Sequence, residues 1–318
     1  MQVPSQIMAL TNRTCRDGAA RRLGRFGTWI LLLSAMCFAG EQPSISADRD
    51  PAELVRRAVQ NEITASDDQN NRFLFRGVKT TPAGSTTRIY VETKEATAGL
   101  VIGYNGQTLT PEQQRAEEAR VERFIDNPEE LRKKRTQERE NAERTMRIVR
   151  AMPEAFVYEY AGEEPSSEGI GRAGSMLIKL KFHPEPGYQP PSRVEEVLTG
   201  MEGVVLIDPN GLRIAKIDGT LFKEVGFGWG ILGHLDRGGR FTVQQQEVGG
   251  NVWEISSMGL HFTGKILLVK TLNYVSTEVF SGFKRVPADL TFAKAVELLK
   301  KEQATEGDVA ANGKISQK

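Results

Sequence analysis

Three histidines, His183, His234 and His261, are the side chains best suited to metal or proton-transfer chemistry in this chain. His234 stands two residues before Asp236, and His261 falls on a later element. A metal centre needs two or three donors converging on one point. His234-Leu235-Asp236 and His261 fall on different elements and would meet only by chance, so loop or surface histidines are expected rather than a metal site. No G-x-S-x-G elbow supports a serine nucleophile, and no Walker A sequence supports a P-loop. Carboxylates are so abundant that finding a pair of them decides nothing about glycoside chemistry. One phosphate-binding pattern is present: Gly228-Trp229-Gly230-Ile231-Leu232-Gly233 matches G-x-G-x-x-G, after a plausible strand 221–225 and with Glu254 at the distance of a ribose contact. That motif works only where a helix follows and points its N-terminus at the pyrophosphate. Here only His234, Leu235 and Asp236 precede Arg237-Gly238-Gly239, which leaves no room for a helix. The stretch reads instead as a Gly-aromatic loop in which Phe227, Trp229, Ile231 and Leu232 pack, or as an apolar flap at a cavity mouth. With Trp253 they form the candidate ligand contacts. No catalytic residue and no cofactor is expected.

The elements around this loop form a β-meander over 203–286. An apolar run, 203–207, meets Asp208-Pro209-Asn210-Gly211, a strong turn signal, and continues as 212–217;. Further strands are expected at 240–247, 251–256, 266–270 and about 277–286, the last closed by Pro287;. Trp253 and Ile255 are placed on one face and Glu254 on the other. Short connections favour antiparallel neighbours, and a sheet with one apolar face must cover or enclose something.

The amino-terminal region suggests export. Arg21, Arg22 and Arg25 precede the apolar run 29–38, and Ala39-Gly40 supplies small residues for cleavage. The run is shorter than the ~20 residues a membrane span needs, so residues 1–39 read as a secretory signal peptide. Translation could begin at Met1 or Met8. Cys37 is a weak lipidation candidate, because Met36 precedes it where a small residue belongs. Cleavage would remove Arg13, Arg16, Arg21, Arg22 and Arg25 against Asp17 alone, and both cysteines, Cys15 and Cys37. The mature chain is then slightly acidic and free of thiols, with no transmembrane span. The whole chain carries a formal charge of only +1, so nucleic acid is not an expected partner;.

In the mature chain, Asp50-Pro51-Ala52-Glu53 starts a helix to about Glu62, with Leu54, Val55, Ala58 and Val59 as its apolar stripe;. Strands follow at 72–76, 87–92 and 100–104, either as part of the meander's sheet or as the start of a second one. The second of these is expected to be half-buried, with Tyr90 on its polar side. Thr110-Pro111-Glu112-Gln113 is a capping box, and Asn127-Pro128 opens another helix to about Met152. Between 132 and 144 that helix is almost wholly polar, which excludes a core role for this part. The insertion 110–152 therefore reads as a solvated arm. Arg132, Lys133, Lys134 and Arg135 are its candidate partner-docking residues. Strands at 156–160 and 175–182, a rigid connector 183–192, a helix capped by Asp289 and a disordered tail 301–318 complete the chain. Residues 40–300 are expected to form one domain.

The leader, the early helix, the long meander and its close Glu278-Val279-Phe280-Ser281-Gly282-Phe283-Lys284-Arg285-Val286-Pro287 resemble the outer-membrane lipoprotein-sorting family of periplasmic carriers. The resemblance implies a half-barrel closed by helices, an apolar cavity for acyl chains, and no catalysis. The charged insertion, the Pro-rich connector and the greater length depart from that family. The fold class expected is α+β, mostly antiparallel, as a curled sheet or half-barrel with covering helices. Two functions are consistent with it: an exported binder or carrier of a lipid or acyl chain, or an interaction protein of the envelope docking through 111–152. A metal-dependent hydrolase is a distant third.

Overall fold

The computed structural model of the protein describes residues 50–68, 70–227, 233–266 and 270–315. The leader, Cys15 and Cys37 lie outside the described residues. Helix α1 (Pro51–Ser66) begins where Asp50 accepts the Ala52 amide at 3.0 Å, and it runs a turn beyond Glu62. Glu53 does not reach back to the cap; it pairs with Arg56.

Strands β1 (Arg72–Thr81), β2 (Gly84–Val91), β3 (Ala98–Tyr104) and β4 (Gln107–Thr108) come next, then helices α2 (Pro111–Asp126) and α3 (Pro128–Ala155). The chain continues through β5 (Phe156–Pro165), β6 (Met176–Pro184), a 3-10 turn (Glu195–Gly200), β7 (Met201–Asp208) and β8 (Arg213–Leu221). It closes with β9 (Val225–Phe227), β10 (Gly233–Leu235), β11 (Arg240–Gly249), β12 (Val252–Ile266), β13 (Lys270–Val286) and α4 (Phe292–Ile315). The sheet runs β4-β3-β2-β1-β13-β12-β11-β8-β7-β6-β5, every pair antiparallel, with the β9–β10 ribbon set against the end of β12. This is an α+β fold built on a curled, unclosed sheet.

Two features differ from the expected meander. β11 pairs directly with β8, so the β9–β10 ribbon is an excursion. β13 starts at Lys270, not near Thr277, and pairs with β1 from Arg72↔Val286 to Thr80↔Thr277. The early strands therefore belong to the same sheet, and its two edges are β4 and β5. The chain joins those edges through α2 and α3, so the inserted helices bridge the sheet's opening.

That position explains their polarity. An edge strand exposes unpaired backbone donors and acceptors. At the β3 edge the helices supply the missing partners. The Thr97 amide donates to Glu138 at 3.0 Å, the Val101 amide to Glu117 at 3.4 Å, and Arg120 donates to the Gly99 carbonyl at 2.9 Å. The capping box forms as expected, with the Thr110 amide donating to Gln113 at 2.9 Å. The arm is not solvated throughout. Met146, Val149, Met152 and Ala155 of α3 enter the main core, a stripe at helical spacing below the polar segment.

Both faces of β1–β3 are covered. Phe73, Phe75 and Tyr90 face the main core with α1 and α3, while Leu74, Ile89 and Val91 pack with Val121 of α2 and Leu299 of α4. Tyr90 is buried for this reason, against the half-buried strand expected. Glu92 follows just after β2, and its carboxylate accepts the Phe73 amide at 3.0 Å. Burial is the main cause that pushes its pKa up to about 7, and Glu138 adds to the shift. At the carboxyl end Thr291, not Asp289, supplies the cap oxygen, to the Lys294 amide. α4 then passes through residues read as tail. Gln303 is buried and takes the Gln114 amide at 3.3 Å, and Glu302 accepts from Lys284 at 3.1 Å.

Candidate functional site

The inner face of the sheet, the one α1 covers, has two unlike halves. Over β5–β8 it is filled by the helix, whose Leu54, Val55, Ala58 and Val59 are buried in the main core. Helix α1 is latched there by a buried ion pair. Arg213 donates to both oxygens of Glu62 at 2.8 and 2.9 Å, and the Ile214 amide adds a third bond at 3.0 Å. Asn61 donates to the carbonyls of Gly211 and Leu212 at 3.2 and 3.0 Å. A bidentate guanidinium with an added amide is the arrangement in which a buried carboxylate is satisfied.

Over β13, β1 and β2 the inner face is lined by rings. Phe75 stacks on Tyr90 with centroids 5.3 Å apart and on Phe283 at 5.3 Å, and meets Phe280 edge-on at 6.0 Å. Residues directly opposite in an antiparallel ladder share a face. The pairs Phe75↔Tyr90, Gly77↔Phe280, Gly77↔Arg88 and Lys79↔Glu278 therefore place one polar group beside this wall. Gly77 is required at its centre, since a Cβ there would lie 2.8 Å from the Tyr90 ring. Half-buried Phe241, Val243 and Phe262 extend the apolar lining across β11 and β12.

Glu278 sits in this polar group at 5% exposure. It accepts one long bond, from the Tyr90 hydroxyl at 3.4 Å. Burial raises its pKa, against the opposing pull of Lys79, Arg88 and Tyr90. Burial also pushes the Tyr90 hydroxyl up to about 12, with the Glu278 carboxylate adding to the shift. A carboxyl and a phenol that both favour their protonated forms thus lie beside an aromatic wall, with half-buried Lys79 and Arg88 nearby. This arrangement can hold an amphipathic molecule. It contains no nucleophile–base pair.

A second concavity, of about 730 Å³, lies between α3 and the Pro-rich connector. Arg147, Arg150 and Glu154 line it from the helix and Tyr188 and Glu195 from the other side. Burial raises the Tyr188 pKa, and Glu195 and Glu154 add to it.

The candidates read from the sequence fare unequally. Trp229, Ile231 and Leu232 lie outside the described residues, as does the side chain of Phe227. The G-x-G-x-x-G reading is excluded by its flanks, because Gly233 opens strand β10 and no helix begins there. Trp253 is 1% exposed in a separate cluster with Leu177, Leu206 and Ala215, beneath Ile170. Ile255 belongs to the main core, so the two do not share one environment. Arg132, Lys133 and Arg135 are exposed on α3. Lys134 is engaged internally, 2.6 Å from Glu138 and 5.9 Å over the Phe124 ring. Sequence reasoning missed Glu278, Tyr90, Lys79 and Arg88, whose meeting depends on the β1–β13 pairing. Among the described residues, one group has metal-ligand spacing: Glu224, His234 and Asp236.

No family model matches the chain, and no curated protein matches it. Solved structures with a similar fold include a putative outer membrane lipoprotein-sorting protein domain from Vibrio parahaemolyticus, 10% identical, with 74% of this chain and 92% of that one covered and a TM-score of 0.28. A DUF1329 family protein from Desulfovibrio piger is 12% identical over 74% and 94% of the two chains, also at a TM-score of 0.28. MucB in complex with MucA is 8% identical over 73% and 94%, at a TM-score of 0.20. The expected resemblance to the sorting family is thus found, as a weak one. Likeness at this level assigns no ligand, and only the chain's own geometry bears on function. Among the described residues no helix is long and apolar enough to cross a membrane.

Proposed function

We propose that the protein is a non-enzymatic, exported binding protein of the cell envelope that holds an acyl-bearing, amphipathic ligand on the inner face of its curled sheet. The apolar part lies along Phe75, Phe280, Phe283 and Phe241, and the polar end meets Tyr90, Glu278, Lys79 and Arg88. The observation that carries this reading is Glu278, a buried carboxyl with raised pKa and one long hydrogen bond, beside an aromatic lining. Buried polar groups without a full set of partners cost free energy, and ligand sites are where such groups persist. Native mass spectrometry of the mature chain after export, with lipid extraction, tests it. A bound acyl lipid at one per chain supports the proposal. An apo mass that persists after incubation with long-chain fatty acid and phospholipid refutes it.

The groove between α3 and the connector favours a second reading, a partner protein docked on Arg147 and Arg150. Pull-down from envelope extract with the wild type and with Arg147→Ala/Arg150→Ala separates the two readings. A partner lost only by the variant supports docking, and identical captures dismiss it.

A further inference from the structure

We infer that Glu224, His234 and Asp236 form a site for a transition-metal dication of the zinc type, independent of the inner-face ligand. The β9–β10 ribbon builds it. His234 of β10 and Asp236, just past its end, are two residues apart and so project to the same side of the ribbon;. The ladder pairs His234 with Gly226 and Leu235 with Val225, which brings Glu224 opposite Asp236. The His234 Nε2 atom lies 3.4 Å from an Asp236 oxygen and 4.0 Å from a Glu224 oxygen, and the three donor atoms all fall within 4.8 Å of one another. Ligands bound at about 2.0–2.1 Å in a tetrahedron stand about 3.3–3.4 Å apart. One edge is therefore already in place, and side-chain rotation of the exposed Glu224 closes the others.

The ribbon is held firmly enough to present donors. Its inner strand, β10, pairs with β12 through Gly233↔Ile266 and Leu235↔Gly264, and the Asp236 amide donates to the Thr263 carbonyl at 2.9 Å. Gly264 permits this approach, since a Cβ there would stand 2.1 Å from the His234 carbonyl oxygen. His234 is only 20% exposed, whereas Asp236 and Glu224 are 45% and 64% exposed, so the imidazole is fixed and the carboxylates face solvent. One neutral imidazole and two carboxylates carry two negative charges, which a dication neutralises. The imidazole selects zinc-type ions over calcium and magnesium, which prefer all-oxygen sets. Three protein donors leave a fourth position open to water or to a partner's side chain. Lys265, opposite His234 in the β10–β12 ladder, works against the cation, but it is exposed and can turn to solvent.

The test is calorimetric titration of the tag-free mature chain with zinc chloride, alongside magnesium and calcium chloride. One zinc per chain is expected, with no heat from the other two ions. His234→Ala and Asp236→Asn should each weaken zinc binding at least about tenfold, while His183→Asn and His261→Asn leave it unchanged. Cobalt loading should give the intense visible bands of a tetrahedral site in the wild type and lose them in His234→Ala. Matching circular dichroism spectra confirm that each variant is folded. Absence of zinc binding in the wild type overturns the inference, as does equal binding in His234→Ala, which would leave the cluster as a histidine–carboxylate contact. Uptake of lipid has no bearing on either outcome.

Discussion

Two carboxylates are buried on the inner face of the same sheet, and they are treated in opposite ways. Glu62 is 3% exposed and meets a bidentate guanidinium and a backbone amide. Glu278 is 5% exposed and receives one 3.4 Å bond from a phenol. Burial alone does not separate them; the partners do. Glu62 has what a charge needs to stay in the interior, and its role is to fasten α1 over β5–β8. Glu278 is held short of that, beside the aromatic rings of β1, β2 and β13. The first is a structural latch, and the second is the mark of a site.

The latch offers the largest effect. Arg213→Met leaves Glu62 buried and unpaired and should cost about 3–5 kcal/mol, read as a lower midpoint in urea unfolding. The double replacement Glu62→Leu/Arg213→Met should recover most of that loss. If the single variant is near neutral, α1 is not fastened as described.

The Glu278 side responds through pH. Its folded pKa is raised, so the unfolded chain gives up this proton first as pH rises;. Its contribution is fully present below the ordinary carboxylate range and is lost as pH climbs to the raised value. Lys79, Arg88 and Tyr90 are the groups that face it. Glu92 behaves likewise, between its ordinary 4.5 and about 7. Glu92→Gln should therefore raise stability at pH 8 by about 1–3 kcal/mol, with the difference vanishing near pH 4. Thermal melts across that range check it, and a constant difference at all pH values would show that titration is not the cause. Glu278→Gln should flatten the same slope in the same direction. At the sheet edge, Glu117→Ala should cost only about 1 kcal/mol, for one amide left short of its partner.

Local signals were legible in advance. Asp50 before Pro51, the Thr110–Gln113 box and the Asp208–Gly211 turn each carry their own short-range chemistry, and each appears where expected. Met146, Val149 and Met152 advertised a buried face on α3, but the polar run before them masked it. Two features were not legible. The β1–β13 pairing joins residues more than two hundred positions apart at its Arg72↔Val286 end, and no local pattern specifies it. The Glu62–Arg213 and Tyr90–Glu278 contacts both span the chain, so neither carboxylate differs from its neighbours in sequence. The charge of α2 and α3 was visible, but its purpose, completing the edge of β3, emerges only when the edges are known.

The most direct measurement is a fluorescence titration of the mature chain with a long-chain fatty acid probe, comparing the wild type with Phe283→Ala and Lys79→Ala/Arg88→Ala. The account predicts saturable binding at one site. Loss of the half-buried Phe283 ring should weaken it by about 10- to 100-fold. The charge variant should also weaken it. No saturable binding in the wild type, or equal affinity in all three proteins, would contradict the assignment of the inner aromatic face as the ligand site.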